Sequence, residues 1–258
     1  MKISILGSGS RGNSIFLEVD KYKFLIDAGF SGKKIEEKLG EINKKPEELK
    51  GILITHEHGD HLLGAGILSR KYNIPIYITK ESYDAGKEKL GKIEEKNIIY
   101  ISNSTFYLGE VKIDPFDVMH DAKRTMGYRI EGITGKKIAI STDIGYINNI
   151  TKKYFRDVDI MVIESNYDHN MLMKCNYPWD LKARVKSRTG HLSNEDAGKF
   201  IGEIYHKNLK KVYLAHISKD SNDCKLAFNT VNNFLARENI KVDLEVATQD
   251  ASTKLYEI

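Results

Sequence analysis

The chain has 258 residues, 41% of them hydrophobic and 29% charged, with a formal net charge of +4. That composition belongs to a globular protein, and the charge falls far short of the basic footprint of a protein that coats DNA. No apolar run approaches the roughly 18 residues of a membrane-crossing helix. The two cysteines, Cys175 and Cys224, lack a CxxC partner, which fits a reducing cytoplasm and argues against a disulfide scaffold or a cysteine metal site. The short apolar run at residues 3–6, with glycines directly after it, reads as a strand and not as an export signal.

Residues 3–6 and 14–19 predict a β-hairpin around Gly7-Ser8-Gly9-Ser10-Arg11-Gly12-Asn13. With its glycines, Ser8, Ser10 and Asn13, this loop can cradle an anion or serve as a plain turn. No Gly-Lys-Ser/Thr follows, so it is not a Walker loop. A third strand, 22–27, ends in Asp27-Ala28-Gly29, and Ser31 can cap a helix over 31–39. Residues 52–54 form a short buried strand that stops at Thr55 and releases His56-Glu57-His58-Gly59-Asp60-His61 before an apolar helix opens at Leu62. Four potential metal ligands thus fall within six residues. His56 and His58, two apart on extended backbone, share one side and can grip one ion, while Asp60 and His61 lie past the bend and can face a second. Imidazole and carboxylate suit zinc, iron and manganese. An accidental polar turn is the plain alternative, but a buried strand rarely delivers three histidines and an aspartate to a solvated surface.

The pattern His-x-His-x-Asp-His after an apolar strand resembles the signature of the metallo-β-lactamase fold. The resemblance implies a four-layer αββα sandwich with a two-metal site at one edge, and it makes Asp27 a carboxylate that supports the ligands from behind. Farther along, residues 74–78, with Pro75 near the start, predict an edge strand, and 80–89 a charged, exposed helix. Short strands follow at 98–101, 105–108 and 111–115. The last of them leads to His120, where the third metal motif of that fold belongs, and the resemblance puts His120 with His56 and His58. A hairpin of 128–131 and 137–141, turning at Gly135, ends in Ser141-Thr142-Asp143-Ile144-Gly145. Asp143 is either a turn residue or, by the same resemblance, the carboxylate that bridges the two metals. A buried strand at 160–164 closes in Glu164. Then comes a helix over 180–188 carrying Lys182, Arg184, Lys186 and Arg188, the densest basic patch in the chain, directly before Gly190-His191. A charge run is usually a solvated face, but beside a histidine it competes as a phosphate-binding surface. An amphipathic helix spans 194–206, and a buried strand at 211–215 delivers His216, which matches the last metal histidine of the fold. A helix at 227–237 and a strand at 242–247 complete the chain. With no repeat and no low-complexity linker, residues 1–258 read as one domain.

One metal would then hold His56, His58 and His120, and the other Asp60, His61 and His216, with Asp143 and a hydroxide between them. Two ions about 4 Å apart acidify a shared water and clamp an in-line displacement, so the nucleophile is the bridging hydroxide. The ligand set suits zinc or manganese and leaves iron open. Asp60 and His191 are the candidate catalytic residues. His191 is not needed as a ligand and can bind a phosphate or protonate a leaving oxygen. The basic patch makes a phosphodiester the natural substrate. Glu164-Ser165-Asn166, Tyr177-Pro178, Gly190-His191-Leu192-Ser193-Asn194, Ala215-His216-Ile217-Ser218 and the N-terminal glycine loop resemble the bacterial YycJ/WalJ branch of the superfamily. That resemblance implies 5′-to-3′ exonuclease action on double-stranded DNA. Tyr167 stands where the branch commonly carries histidine, and His169 lies two residues on. The chain has no room for the inserted β-CASP domain of larger nucleases. The alternatives are a metallohydrolase acting on RNA, a cyclic nucleotide or a small ester or thioester, and a regulatory metal-binding protein without turnover. An acid is missing where a flavodiiron oxidoreductase needs one, at His58.

Overall fold

Ile15, Leu17 and Val19 face one way from their strand and Phe16 the other, and all four are buried. A strand with two dry faces needs a covering layer on each side. The computed structural model, which describes residues 1–258, supplies those layers. The first half runs β1 (Lys2–Gly7), β2 (Ser14–Val19), β3 (Tyr22–Ile26), α1 (Gly32–Glu41), β4 (Leu49–Leu53), α2 (Gly59–Leu62), α3 (Ala65–Tyr72), β5 (Ile76–Thr79), α4 (Lys80–Leu90) and β6 (Ile98–Ile101). The second runs β7 (Phe106–Leu108), β8 (Val111–Val118), β9 (Thr125–Glu131), β10 (Lys137–Ser141), α5 (Asn149–Phe155), β11 (Ile160–Glu164), α6 (His169–Lys174), α7 (Trp179–Val185), α8 (Asn194–Ile204), β12 (Lys211–Ala215), α9 (Cys224–Arg237), β13 (Asp243–Val246) and β14 (Tyr256–Glu257).

Two seven-stranded sheets result, ordered β14-β1-β2-β3-β4-β5-β6 and β13-β12-β11-β10-β9-β8-β7. Between them lies an apolar layer in which Ile3, Leu17 and Phe24 of one sheet pack with Tyr128, Ile140 and Val162 of the other. Tyr128 Oη also donates to the Ile54 carbonyl across this layer, at 2.6 Å. The outer face of the first sheet is covered by Ile35 and Leu39 of α1 and Leu68 of α3. Phe155 of α5, Phe200 and Ile201 of α8 and Val231 of α9 cover the second. This is the αββα sandwich expected from the sequence, with no additional domain.

The sequence reading did not foresee β14, and three further details differ from it. β5 is not an edge strand: it lies between β4 and β6. Pro75 stands just outside it, and the Pro75 carbonyl accepts from Ile52 N, so the proline removes no ladder bond. The helices α5 and α6 were not foreseen. Each is short and is started by a side-chain cap, Asn148 for α5 and Asp168 for α6. Finally, α7 ends at Val185, not at Arg188, because the chain doubles back: His191 N donates to the Val185 carbonyl at 2.9 Å. Only glycine fits at 190, where a Cβ would lie 2.2 Å from the Arg184 carbonyl oxygen.

Strands β3 to β6 are parallel, as are β10 to β13. In such sheets ligands bind beyond the carboxyl ends. Asp27 follows β3, His56 follows β4, His120 lies just beyond β8, Asp143 just beyond β10, Glu164 ends β11 and His216 follows β12.

Candidate metal centre

Four of the five expected histidine ligands are buried, as is Asp143, and all of them converge with the partly exposed His58 and Asp60. His56 Nε2 and His58 Nδ1 are 3.0 Å apart, and with His120 they offer three ring nitrogens to one point. Asp60, His61 and His216 form a second convergence, where Asp60 Oδ2 stands 3.5 Å from His61 Nε2 and 3.8 Å from His216 Nε2. Asp143 lies between the two: Oδ2 is 3.1 Å from His61 Nε2, and Oδ1 is 3.6 Å from His120 Nε2. Asp143 Oδ2 and His216 Nε2 are buried with no hydrogen-bond partner. A buried polar atom without a partner carries a penalty that a cation removes. The donor set, imidazole and carboxylate alone, fits divalent metal ions.

Four of the five histidines, His58 excepted, are fixed by the nitrogen that faces away from this point. His61 Nδ1 meets Asp27 Oδ2 at 2.7 Å, and Asp27 itself accepts from Thr55 N and Thr55 Oγ1 at 2.7 and 2.8 Å. His120 Nδ1 donates to the Gly190 carbonyl at 3.0 Å, and His56 Nδ1 faces Thr55 Oγ1 at 2.9 Å. His216 Nδ1 meets Glu164 Oε1 at 2.8 Å. These bonds select the tautomer and aim the other nitrogen inward. Two of the residues hold left-handed backbone, Asp27 at φ 60° and His216 at φ 55°. Such strain gathers where the surroundings over-determine a functional position. Gly29 is equally constrained, since a Cβ there would lie 1.6 Å from the Asp60 carbonyl oxygen. The Asp27-Ala28-Gly29 turn and the ligand loop therefore fit together only with glycine at that point.

Charge is distributed unevenly. Burial, and then the neighbouring imidazoles, push His56 well below the ordinary histidine value, and burial and His120 lower His58. For His61, burial acts downward, but Asp143 and Asp27 outweigh it and hold it well above that value. For His216, burial is again outweighed, by Asp143 and Glu164, and its pKa rises to about 9. Asp143 is held well below the carboxylate range, its burial outweighed by His216 and His61.

Glu164 is the residue the sequence reading passed over. It is fully buried, and both oxygens are engaged: Oε1 by His191 Nδ1 at 2.7 Å and His216 Nδ1, Oε2 by Ile144 N at 2.8 Å and Leu192 N at 3.2 Å. Although it lies in a second cluster with Asp143, His191 and His216, an ion there would have to displace these bonds. It acts as the brace of two histidines. Its sequence signals were its place at the end of a buried strand, the position that delivered ligands elsewhere, and its membership of the Glu164-Ser165-Asn166 motif. Asp121, also not singled out, has Oδ1 3.3 Å from His120 Nε2 and Oδ2 in an ion pair with Arg184.

The expected phosphate contacts divide. His191 joins the centre, its ring 5.2 Å from those of both His120 and His216, with 20% of its side chain exposed. Arg184, Lys186 and Arg188 are exposed on the segment leading to it. Lys182 is committed elsewhere, donating to the Met173 carbonyl at 2.8 Å. Ser8 and Asn13, expected to face an anion, are instead buried and internally bonded. Ser8 Oγ donates to Asn13 Oδ1 and accepts from His216 N, and Asn13 Nδ2 lies 3.0 Å from His61 Nε2. They hold the ligand loops together. Ser10 is exposed at the tip of its loop. Tyr167 is buried, His169 is exposed on α6, and neither touches the centre.

Residues 22–217 match the model of the β-lactamase superfamily domain. The chain is 41% identical over 254 residues to the exodeoxyribonuclease WalJ of Streptococcus pneumoniae, covering 97% of this chain and 94% of that protein. It is 34% identical over 256 residues to the exodeoxyribonuclease YycJ of Bacillus anthracis, covering 99% and 97%. Among solved structures it superposes on the metallo-β-lactamase fold protein YhfI of Bacillus subtilis with a TM-score of 0.75, at 15% identity over 98% of each chain. Nearly full-length identity to two relatives, together with the domain match, carries more than shared fold. This chain belongs to the β-lactamase superfamily, in the WalJ/YycJ group, and is a metal-dependent hydrolase.

Proposed function

We propose that the protein is a 5′-to-3′ exonuclease of double-stranded DNA that works with two divalent ions, zinc or manganese. The observation that carries this reading is the pair of ligand clusters with the buried Asp143 between them, 3.1 Å from His61 Nε2 and 3.6 Å from His120 Nε2. The relatives' names supply the DNA substrate. His56, His58 and His120 would hold one ion, and Asp60, His61 and His216 the other, with Asp143 between. Bound as a pair, the ions supply the Lewis acidity that activates water and screens phosphodiester charge.

The protein's own residues do the rest. Asp27 and Glu164 orient His61 and His216. His191, held through Nδ1 by Glu164, leaves its Nε2 to reach the substrate. Its pKa is raised, burial being outweighed by Glu164, which favours the protonated ring that a general acid for a leaving oxygen would use. Lys186 and Arg188, exposed beyond the Arg184–Asp121 pair, give the mouth a positive edge for the backbone phosphates. No helix is long and apolar enough to cross a membrane and both cysteines are free, which agrees with a place in the cytoplasm.

The test is digestion of duplex DNA labelled at one 5′ or one 3′ end, with added manganese, by the wild type and Asp143→Ala. Immediate release of 5′ label as mononucleotide, absent in the variant, supports the reading. Release of 3′ label first would reverse the polarity. Cleavage of single-stranded RNA alone, or of small esters alone, would overturn the DNA assignment.

A further inference from the structure

Beside the metal centre lies a cleft of about 280 Å³ that the ligand geometry does not explain. Its floor is apolar, formed by Ile147, Leu192 and Phe200, and Lys152 and Lys199 stand on its lip. Two loops of the centre build its near wall. Gly145 is two residues from Asp143, and Leu192 is next to His191, so two of the lining residues stand on the loops that carry the centre. Its side wall is Tyr146, which is 40% exposed.

Tyr146 is held firmly for an exposed aromatic. It pairs in a β-bridge with Met119, the neighbour of His120, and Gly145 N donates to the Met119 carbonyl at 2.8 Å. Gly145 packs so closely on the next loop that a Cβ would lie 2.5 Å from the Arg188 carbonyl oxygen. The Arg188 guanidinium covers the Tyr146 ring at 4.4 Å from its centroid and does not line the cleft. The ring is therefore cationic on one side and open toward the cleft on the other. Lysines on the lip are paired with acids, Lys152 with Glu203 at 2.6 Å and Lys199 with Asp196 at 3.2 Å, so the rim presents donors and acceptors without a net charge to attract an ion. An apolar floor, a fixed aromatic wall and a mixed polar rim suit a flat heteroaromatic ring with a polar edge.

Resting on the exonuclease reading above, we propose that this cleft binds the base of the nucleotide whose phosphate is cleaved, stacked on Tyr146, with Arg188 behind the ring. Tyr146 is thus a specificity-determining residue: it makes the enzyme require a base at the cut nucleotide. Stacking is tolerant of sequence, so the cleft accepts any of the four bases.

The experiment compares cleavage of duplex ends whose terminal nucleotide is normal or abasic, by wild type, Tyr146→Ala and Tyr146→Trp, with bound metal and melting temperature measured for each. Wild type should show a KM for the abasic end raised by roughly 5- to 150-fold, the range expected from one stacked base. Tyr146→Ala should show that raised KM on both ends, with kcat on the normal end little changed, and Tyr146→Trp should restore the preference. Equal wild-type KM values on the two ends, or a Tyr146→Ala variant that still prefers the base, would overturn the cleft assignment while leaving the nuclease intact. A Tyr146→Ala loss confined to kcat or metal content would assign the ring a structural role and also overturn it. No cleavage of either end by metal-loaded wild type would overturn the exonuclease reading, and the cleft assignment with it.

Discussion

His56 and His120 lean on uncharged groups, a threonine hydroxyl and a peptide carbonyl, whereas His61 and His216 lean on the carboxylates of Asp27 and Glu164. The two halves of one metal centre thus differ in charge before any ion arrives. Burial pushes His56 and His58 of the first half down, whereas carboxylates raise His61 and His216 of the second against burial. A carboxylate behind an imidazole makes it a stronger donor, so the second half should hold its ion through electrostatics and the first through geometry. Asp143 belongs to both halves, which makes it the residue on which the comparison turns.

Removing Asp143 should have the largest effect. Asp143→Ala should reduce hydrolysis to background and release at least one ion per chain, read by elemental analysis. Next, Glu164→Gln removes the charge behind His191 and His216 together. Activity should fall about 10- to 100-fold, with weaker metal retention in the second half only. Equal weakening of both halves would erase the distinction. Asp27→Asn keeps a side chain that tolerates the left-handed backbone and can still accept from Thr55 N, but its amide nitrogen replaces the oxygen facing His61 Nδ1, so it removes both the charge and that acceptor. A loss near the lower end, about 10-fold, is expected. Gly29→Ala should destabilise the fold by about 1–3 kcal/mol in urea unfolding, because the added methyl pushes the Asp60 carbonyl and the α2 turn away from Asn13.

The smallest effect is on the pH dependence of stability without metal. His61 and His216 have raised values in the folded protein, so their contribution is complete below the ordinary value of 6.5 and is lost as pH rises toward about 9. His56 is depressed, so its effect has the opposite sign and destabilises as pH falls below 6.5. Melting of the chelated protein should therefore peak near pH 6.5 and drop on the order of 5 °C by pH 9. With metal bound the upper drop should disappear, since the second half must be deprotonated to hold an ion. A flat metal-free profile would remove the charge asymmetry.

The ligand-bearing stretches were legible because each joins a short apolar strand to a ligand residue at its end. That arrangement repeats at His56, His120, Asp143 and His216, and the αββα layering was what the resemblance carried by the first of these stretches implied. Glu164 stands at the same kind of position, yet its role depends on His191 and His216, 27 and 52 residues away. Nothing local in the sequence announces a brace of that kind. The same distance hid the fate of the polar loop: Ser8 and Asn13 bond His216 and the Asp60–His61 turn, so residues that looked free are interior. In the basic segment, charge was visible but pairing was not. Lys182 is tied to a carbonyl on α6 and Arg184 to Asp121, and the turn forced by Gly190 ends the helix before Lys186. The position of β5 was misjudged because a proline near a strand suggests an edge, and here it stands one residue outside the ladder.

The most direct test of the account is a crystal structure of the manganese- or zinc-loaded protein with anomalous data collected at the metal edge. The account predicts two peaks, one among His56, His58 and His120 and one among Asp60, His61 and His216, with Asp143 touching both and Glu164 touching neither. A single peak, or an ion held by Glu164 and His191, would contradict it.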